Sequence, residues 1–124
     1  MNTKRANMII GIGARRGVTC QEVCDAIRSA LRDAGVDFDR VRMIASSRLK
    51  ENETGIRDAV RMLEREIVFL DDETINTCTP PSPSAASRFN LVGVAEPCAL
   101  ALSEEKDLIL TKRRYGRVTI AIAR

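Results

Sequence analysis

Three stretches of this chain carry charged and polar residues at spacings suited to chemistry. Gly11-Ile12-Gly13-Ala14-Arg15-Arg16-Gly17 sets two guanidinium groups inside a glycine-rich turn. Backbone N–H groups beside glycines at a helix start, together with bidentate arginine donors, suit a carboxylate or a phosphate. A tight turn carrying two solvated arginines accounts for the same residues. The stretch from Ala45 to Gly55, ASSRLKENETG, gathers Ser46, Ser47, Lys50 and Glu53. It offers two neutral donors, a cation and an acid, and a solvated loop with Glu53 at a helix start accounts for it equally. Glu96, before Pro97, stands at another helix start. Glu53 and Glu96 are the two placed candidates for acid or base catalysis.

Several chemistries are excluded. The chain has no histidine, which removes Ser-His and Cys-His pairs, histidine zinc sites and an axial histidine to a tetrapyrrole metal. Ser82 and Ser84 therefore have no base to activate them and serve as hydrogen-bonders at most. Cys20, Cys24, Cys78 and Cys98 form no CxxC pair, so neither a zinc ribbon nor a thioredoxin-type motif is spelled out. Cys20 and Cys24 are one helical turn apart and read as semi-buried thiols. No bound metal and no cofactor are expected. GIGARRG holds the first two glycines of a dinucleotide fingerprint, but Arg16 stands where the third belongs, and the second strand ends in Ala45-Ser46 without an acid for a ribose. A Walker pattern fails because Val18 follows Gly17.

Composition narrows the partners. A net charge of +3 over 124 residues is too dilute for a dedicated nucleic-acid binder, and one Tyr, three Phe and no Trp leave few rings for base stacking. No apolar run approaches the ~18 residues of a membrane span, and MNTKRAN-MIIGIG is too short in its apolar part for a secretory signal. A soluble cytoplasmic chain folding as one domain over residues 1–124 is expected.

The elements that must position these residues are well marked. Met8 to Ile12 is an apolar run breaking at glycines, as a buried strand feeding a βα turn does. Thr19 and Glu22 form a capping box ahead of an apolar stripe at Val23, Ala26, Ile27, Ala30, Leu31 and Ala34, and Gly35 stops that helix. A second strand is predicted over Val41–Ala45, a helix over Ile56–Glu64, a third strand over Ile67–Leu70 and a helical turn through Ile75. Thr79-Pro80-Pro81-Ser82-Pro83-Ser84 reads as a loop. A strand over Leu91–Val94, a helix over Glu96–Leu102, and strands Leu108–Lys112 and Arg117–Ala123 joined by Arg113-Arg114-Tyr115-Gly116 complete the list. This order predicts an α/β fold, a three-layer α/β/α sandwich whose mixed, mostly parallel sheet ends in a C-terminal antiparallel hairpin. Ligands of such sheets bind at the carboxyl ends of strands, here Gly11–Thr19, Ser46–Gly55 and Val94–Pro97. The Lys112-Arg113-Arg114 cluster reads as a solvated turn, with no signal that sets it at that edge.

Taken together, these loops resemble one family. GIGARRG, ASSRLKENETG, GVAEPCAL and TKRRYGRVTIAIAR are similar to the running pattern of the CobE/CbiG C-terminal family of cobalamin biosynthesis: G-x-G-x-[RK]-[RK]-G, A-[ST]-x-x-x-K-x-x-E-x-G, G-V…A-E…A-L and V-T-[VI]-A-[IV]-A-R. The matching residues are Gly11, Gly13, Arg15, Arg16 and Gly17, then Ala45, Ser46, Lys50, Glu53 and Gly55, then Gly93, Ala95 and Glu96, then Val118 to Arg124. Ala14 departs from it, standing where the family often has cysteine. The resemblance implies a protein that binds a corrin or precorrin intermediate, as an accessory or carrier, alongside other enzymes of the pathway. The alternative it implies is a hydrolase that opens the ring lactone of a precorrin-5A-type intermediate with loss of acetaldehyde. A chain starting at Met1 without the upstream domains is expected to be the stand-alone form. On either view Gly13, Arg15, Arg16, Gly17, Thr19, Ser46, Ser47, Lys50 and Glu53 are the expected ligand-binding residues, with Lys112 a further cation for ring carboxylates.

Overall fold

A computed structural model describes residues 6–76 and 94–124. The predicted strand at 91–94 and the proline-rich loop fall almost wholly outside the described residues. Five strands, β1 (Met8–Ala14), β2 (Val41–Ser47), β3 (Glu66–Leu70), β4 (Leu108–Tyr115) and β5 (Val118–Ala123), form one sheet in the order β3-β2-β1-β5-β4. β1 pairs in parallel with β2, and β2 with β3. β5 runs antiparallel to both β1 and β4. Four strands thus point one way, and the reversed strand lies inside the sheet rather than at its edge.

Strand periodicity divides the core into two unlike halves. Ile10, Ile12, Ile44, Val118, Ile120 and Ile122 face α1 (Cys20–Ala34) and α2 (Thr54–Met62). The opposite face is built of Ile9, Ala45, Ala121 and Ala123, against α3 (Asp72–Asn76) and α4 (Ala95–Leu102). Its small residues let α4 lie almost on the sheet. A Cβ on Gly11 would fall 1.9 Å from the Ala95 carbonyl oxygen, so this glycine serves helix packing and not a phosphate.

α1 follows its caps closely: Thr19 accepts from the Glu22 N–H, Glu22 returns the bond, and Gly35 takes the left-handed conformation at φ 67°. Other boundaries shift for identifiable reasons. β2 continues to Ser47 because Ser46 and Ser47 still pair with Phe69 and Leu70. α2 starts two residues earlier than predicted and ends at Met62, since Glu64 turns left-handed at φ 56°. β4 runs on to Tyr115, and the hairpin closes over Gly116 and Arg117 alone, with Gly116 at φ 63°.

Candidate functional site

The β1 loop, the β2 loop and the hairpin turn meet at one edge of the sheet. Val118 pairs with Ala14 at the carboxyl end of β1, and the Arg15 N–H donates to the Arg117 carbonyl at 3.0 Å. The hairpin therefore lies beside the glycine-rich loop, a neighbour that the sequence alone does not give it. The cause is the insertion of β5 next to β1, which brings the turn to that edge.

The loop from Arg15 to Thr19 is held from three sides. The Gly17 N–H, in a left-handed residue at φ 83°, donates to Glu53 Oε1 at 2.9 Å. Arg117 Nη2 donates to the Gly17 carbonyl at 3.2 Å, while its Nε donates to Glu22 Oε2 at 2.8 Å. Arg117 and the Thr19 cap together hold the Glu22 carboxyl down at about 2, well below its ordinary value. Arg15 and Arg16 themselves stay exposed, and neither makes an ion pair among the described residues. A backbone tied by these bonds carries two guanidinium groups without side-chain partners among the described residues, an arrangement suited to anionic groups.

The second loop is joined to the first. A Cβ on Gly55 would fall 2.0 Å from the Val18 carbonyl oxygen, so only glycine lets α2 come this close. That approach delivers Glu53 to Gly17. Lys50 is half-buried with no ion pair among the described residues. The two serines, by contrast, are consumed within the fold. Ser46 is fully buried and its hydroxyl donates to the Ile12 carbonyl at 2.7 Å. Ser47 accepts from the Leu49 N–H at 3.1 Å, capping a short 3-10 turn.

Glu96 sits in the first turn of α4 at 1% exposure. Its Oε2 accepts from the Lys112 N–H at 2.9 Å, where β4 slips register against β5 between Leu110 and Arg113. The bulge turns a ladder N–H out of its pairing, and the glutamate satisfies it. In the hairpin, Arg113 pairs with Asp33 at 3.2 Å and the Tyr115 hydroxyl donates to the same carboxylate at 2.7 Å. These bonds, that of Tyr115 foremost, hold the Asp33 carboxyl below the usual range. Arg113 is therefore no free solvated cation. Arg114 is exposed and lies in register with Thr119, which pairs with Gly13.

Gly13, Arg15, Arg16, Gly17, Thr19, Lys50 and Glu53 thus share one edge. Within it, Gly17, Thr19 and Glu53 hold backbone, while Arg15, Arg16 and Lys50 present charge. Arg117 and Arg114 belong to the same edge, where only the sheet order places them; the sequence reads Arg114 as part of a solvated turn and Arg117 as the start of a strand.

Comparison with known proteins fits this geometry. The profile of the cobalamin synthesis G C-terminus family matches residues 8–123. A cobalt-precorrin-5A hydrolase of Priestia megaterium is 27% identical over 94% of this chain. The chain spans only 32% of that relative's length. The protein CobE of a Sinorhizobium species is 29% identical over 95% of this chain and 80% of its own length. A crystal structure of CobE, a protein from the cobalamin (vitamin B12) biosynthetic pathway, superposes with a TM-score of 0.80 at 31% identity, covering 93% of this chain and 87% of that one. The chain belongs to the cobalamin synthesis G C-terminus family.

Proposed function

We propose that this chain binds a corrin-ring intermediate of cobalamin biosynthesis across the carboxyl ends of β1 and β2, as an accessory or carrier protein. The observation that carries this is the pair Arg15 and Arg16, unpaired with acids among the described residues and held on a loop fixed by Glu53 and Arg117. Corrin precursors are flat and carry several acetate and propionate side chains. A basic rim with Lys50 on one side and Arg114 on the other is complementary to that periphery. The test is co-elution. The chain, mixed with corrin intermediates from the cobalt-containing and cobalt-free routes, should carry one of them through a desalting column, seen by its visible absorption. Free elution of all of them at micromolar concentration would refute binding.

A second reading, ring-lactone hydrolysis, is favoured by the name of the Priestia relative. It needs an acid or base at the ligand, and the two carboxylates available to it, Glu53 and Glu96, already bond to backbone N–H groups. Loss of turnover with intact corrin binding in Glu53→Gln or Glu96→Gln would favour the hydrolase over the carrier.

A further inference from the structure

Where α1 begins and α2 ends, the sulfurs of Cys20 and Met62 meet, with a second cysteine one helical turn along α1. Cys20 is in the first turn of α1 and Cys24 one turn later on the same face, because residues four apart on a helix are stacked neighbours. Met62, the last residue of α2, reaches across, and the Cys20 Sγ–H donates to its Sδ at 3.2 Å. Cys24 belongs to the core cluster against which Cys20 packs. Both are free thiols, Cys24 at 2% exposure in the core and Cys20 half-buried. Met62 stands 68% exposed. Packing gives a poor account of it, since so exposed a side chain removes little apolar area from water. Its thioether is nonetheless turned onto the thiol.

We propose that Cys20, Cys24 and Met62 form a binding site for a soft monovalent cation of the copper(I) class. Among the described residues no three His, Cys, Asp or Glu side chains cluster as a metal cage. This set differs in that its third donor is a thioether, and thiolate and thioether are soft donors of the kind that copper(I) takes. The Cys20–Met62 separation is near what an ion needs. At metal–sulfur bonds of roughly 2.3 Å, three sulfurs around one ion stand about 4 Å apart, so the Cys20–Met62 pair opens by on the order of 1 Å. Met62 supplies that movement, being unbranched, flexible and at the surface. As each copper–thiolate bond forms, the thiol proton passes to solvent, and no electron is transferred. Two thiolates on one monovalent ion leave a single negative charge in the first turns of α1, at the positive end of the helix. None of the three residues belongs to the corrin-binding reading, so the two proposals stand or fall separately.

The experiment is anaerobic titration of the intact chain with copper(I) against a coloured competing chelator. One equivalent is expected to bind per chain. Cys20→Ser should abolish binding. Met62→Leu, a surface change that leaves the core untouched, should weaken it roughly tenfold or more, the scale on which supporting groups act at metal sites. Cys78→Ser should bind as the parent does. Absence of binding, full affinity in Met62→Leu or Cys20→Ser, or loss of binding in Cys78→Ser would each overturn the proposal.

Discussion

One methyl group at position 55 tests the junction on which the loops depend. Gly55 stands in the first turn of α2 and has no left-handed φ. Helix propensity alone therefore predicts that Gly55→Ala stabilises the chain by about 1 kcal/mol. The structure predicts the opposite sign. The new Cβ would meet the Val18 carbonyl oxygen at 2.0 Å and its carbon at 2.9 Å, where ordinary contact begins at 3.4 Å. Both atoms are backbone, so neither can swing aside, and α2 must retreat by on the order of 1 Å. Overpacking of this kind typically costs about 1–3 kcal/mol. The retreat also stretches the Glu53–Gly17 bond, a loss of roughly 1 kcal/mol for a charge-assisted bond partly open to water. Set against the propensity gain, the net loss is about 1–3 kcal/mol, or a melting point lower by roughly 3–12 °C in a chain of this size. Thermal melts and urea denaturation followed by circular dichroism measure it. A midpoint at or above that of the parent would refute the close approach of α2 to Val18.

The other predictions concern the same edge of the sheet. Replacing Arg15 and Arg16 together with alanine should weaken corrin binding by on the order of 100-fold with little change in stability, whereas Arg28 and Arg32, charge-matched on α1, should be replaceable without effect; equal losses in both pairs would mean that net charge alone matters. Because the folded Glu22 carboxyl titrates at about 2 against an ordinary 4.5, its bond to Arg117 contributes stability above pH 4.5 that is lost as pH falls towards 2. Thermal melts of Arg117→Ala should therefore lie below the parent at neutral pH and converge with it across that window, and parallel curves would contradict the pairing. Glu53→Ala frees the Gly17 N–H, so trypsin should cut after Arg15 and Arg16 several-fold faster than in the parent, with Glu53→Gln, which keeps an acceptor, in between. Unchanged cleavage would show that the loop is fixed without Glu53.

Much of the fold was legible because its signals are local. The capping box at Thr19 and Glu22 and the stop at Gly35 each depend on residues within a few positions, and both stand where the sequence puts them. Sheet order is not local. Nothing in VTIAIA distinguishes a strand at the edge from one inserted beside β1, since both are apolar and alternate in the same way. With that order hidden, nothing sets the hairpin at that edge, and Arg114 and Arg117 fall out of view. Gly11 illustrates a further limit. Its place after an apolar run suits a phosphate loop and a close helix contact alike, and only the position of Ala95 separates them. Ser46 and Ser47 likewise have hydroxyls suited to a ligand, until pairing shows the first spent on Ile12 and the second on Leu49.

The placement of β5 has a consequence for how the polypeptide is made. Ile9 pairs with Ala123 and Ile12 with Ile120, so the middle of the sheet joins its first strand to its last. On a ribosome, β1, β2 and β3 emerge first and can associate, yet one flank of β1 stays open until β4 and β5 have followed. That flank belongs to an isoleucine-rich strand, the kind of unpaired edge that recruits strands from other molecules. Closing so long a loop adds little equilibrium penalty, since the entropy grows only with the logarithm of length, but it delays the final pairing. The nascent chain should accordingly be most prone to aggregation just before β5 emerges, and a chaperone that shields β1 during that interval should raise the yield of folded protein more than one acting after β5 has paired.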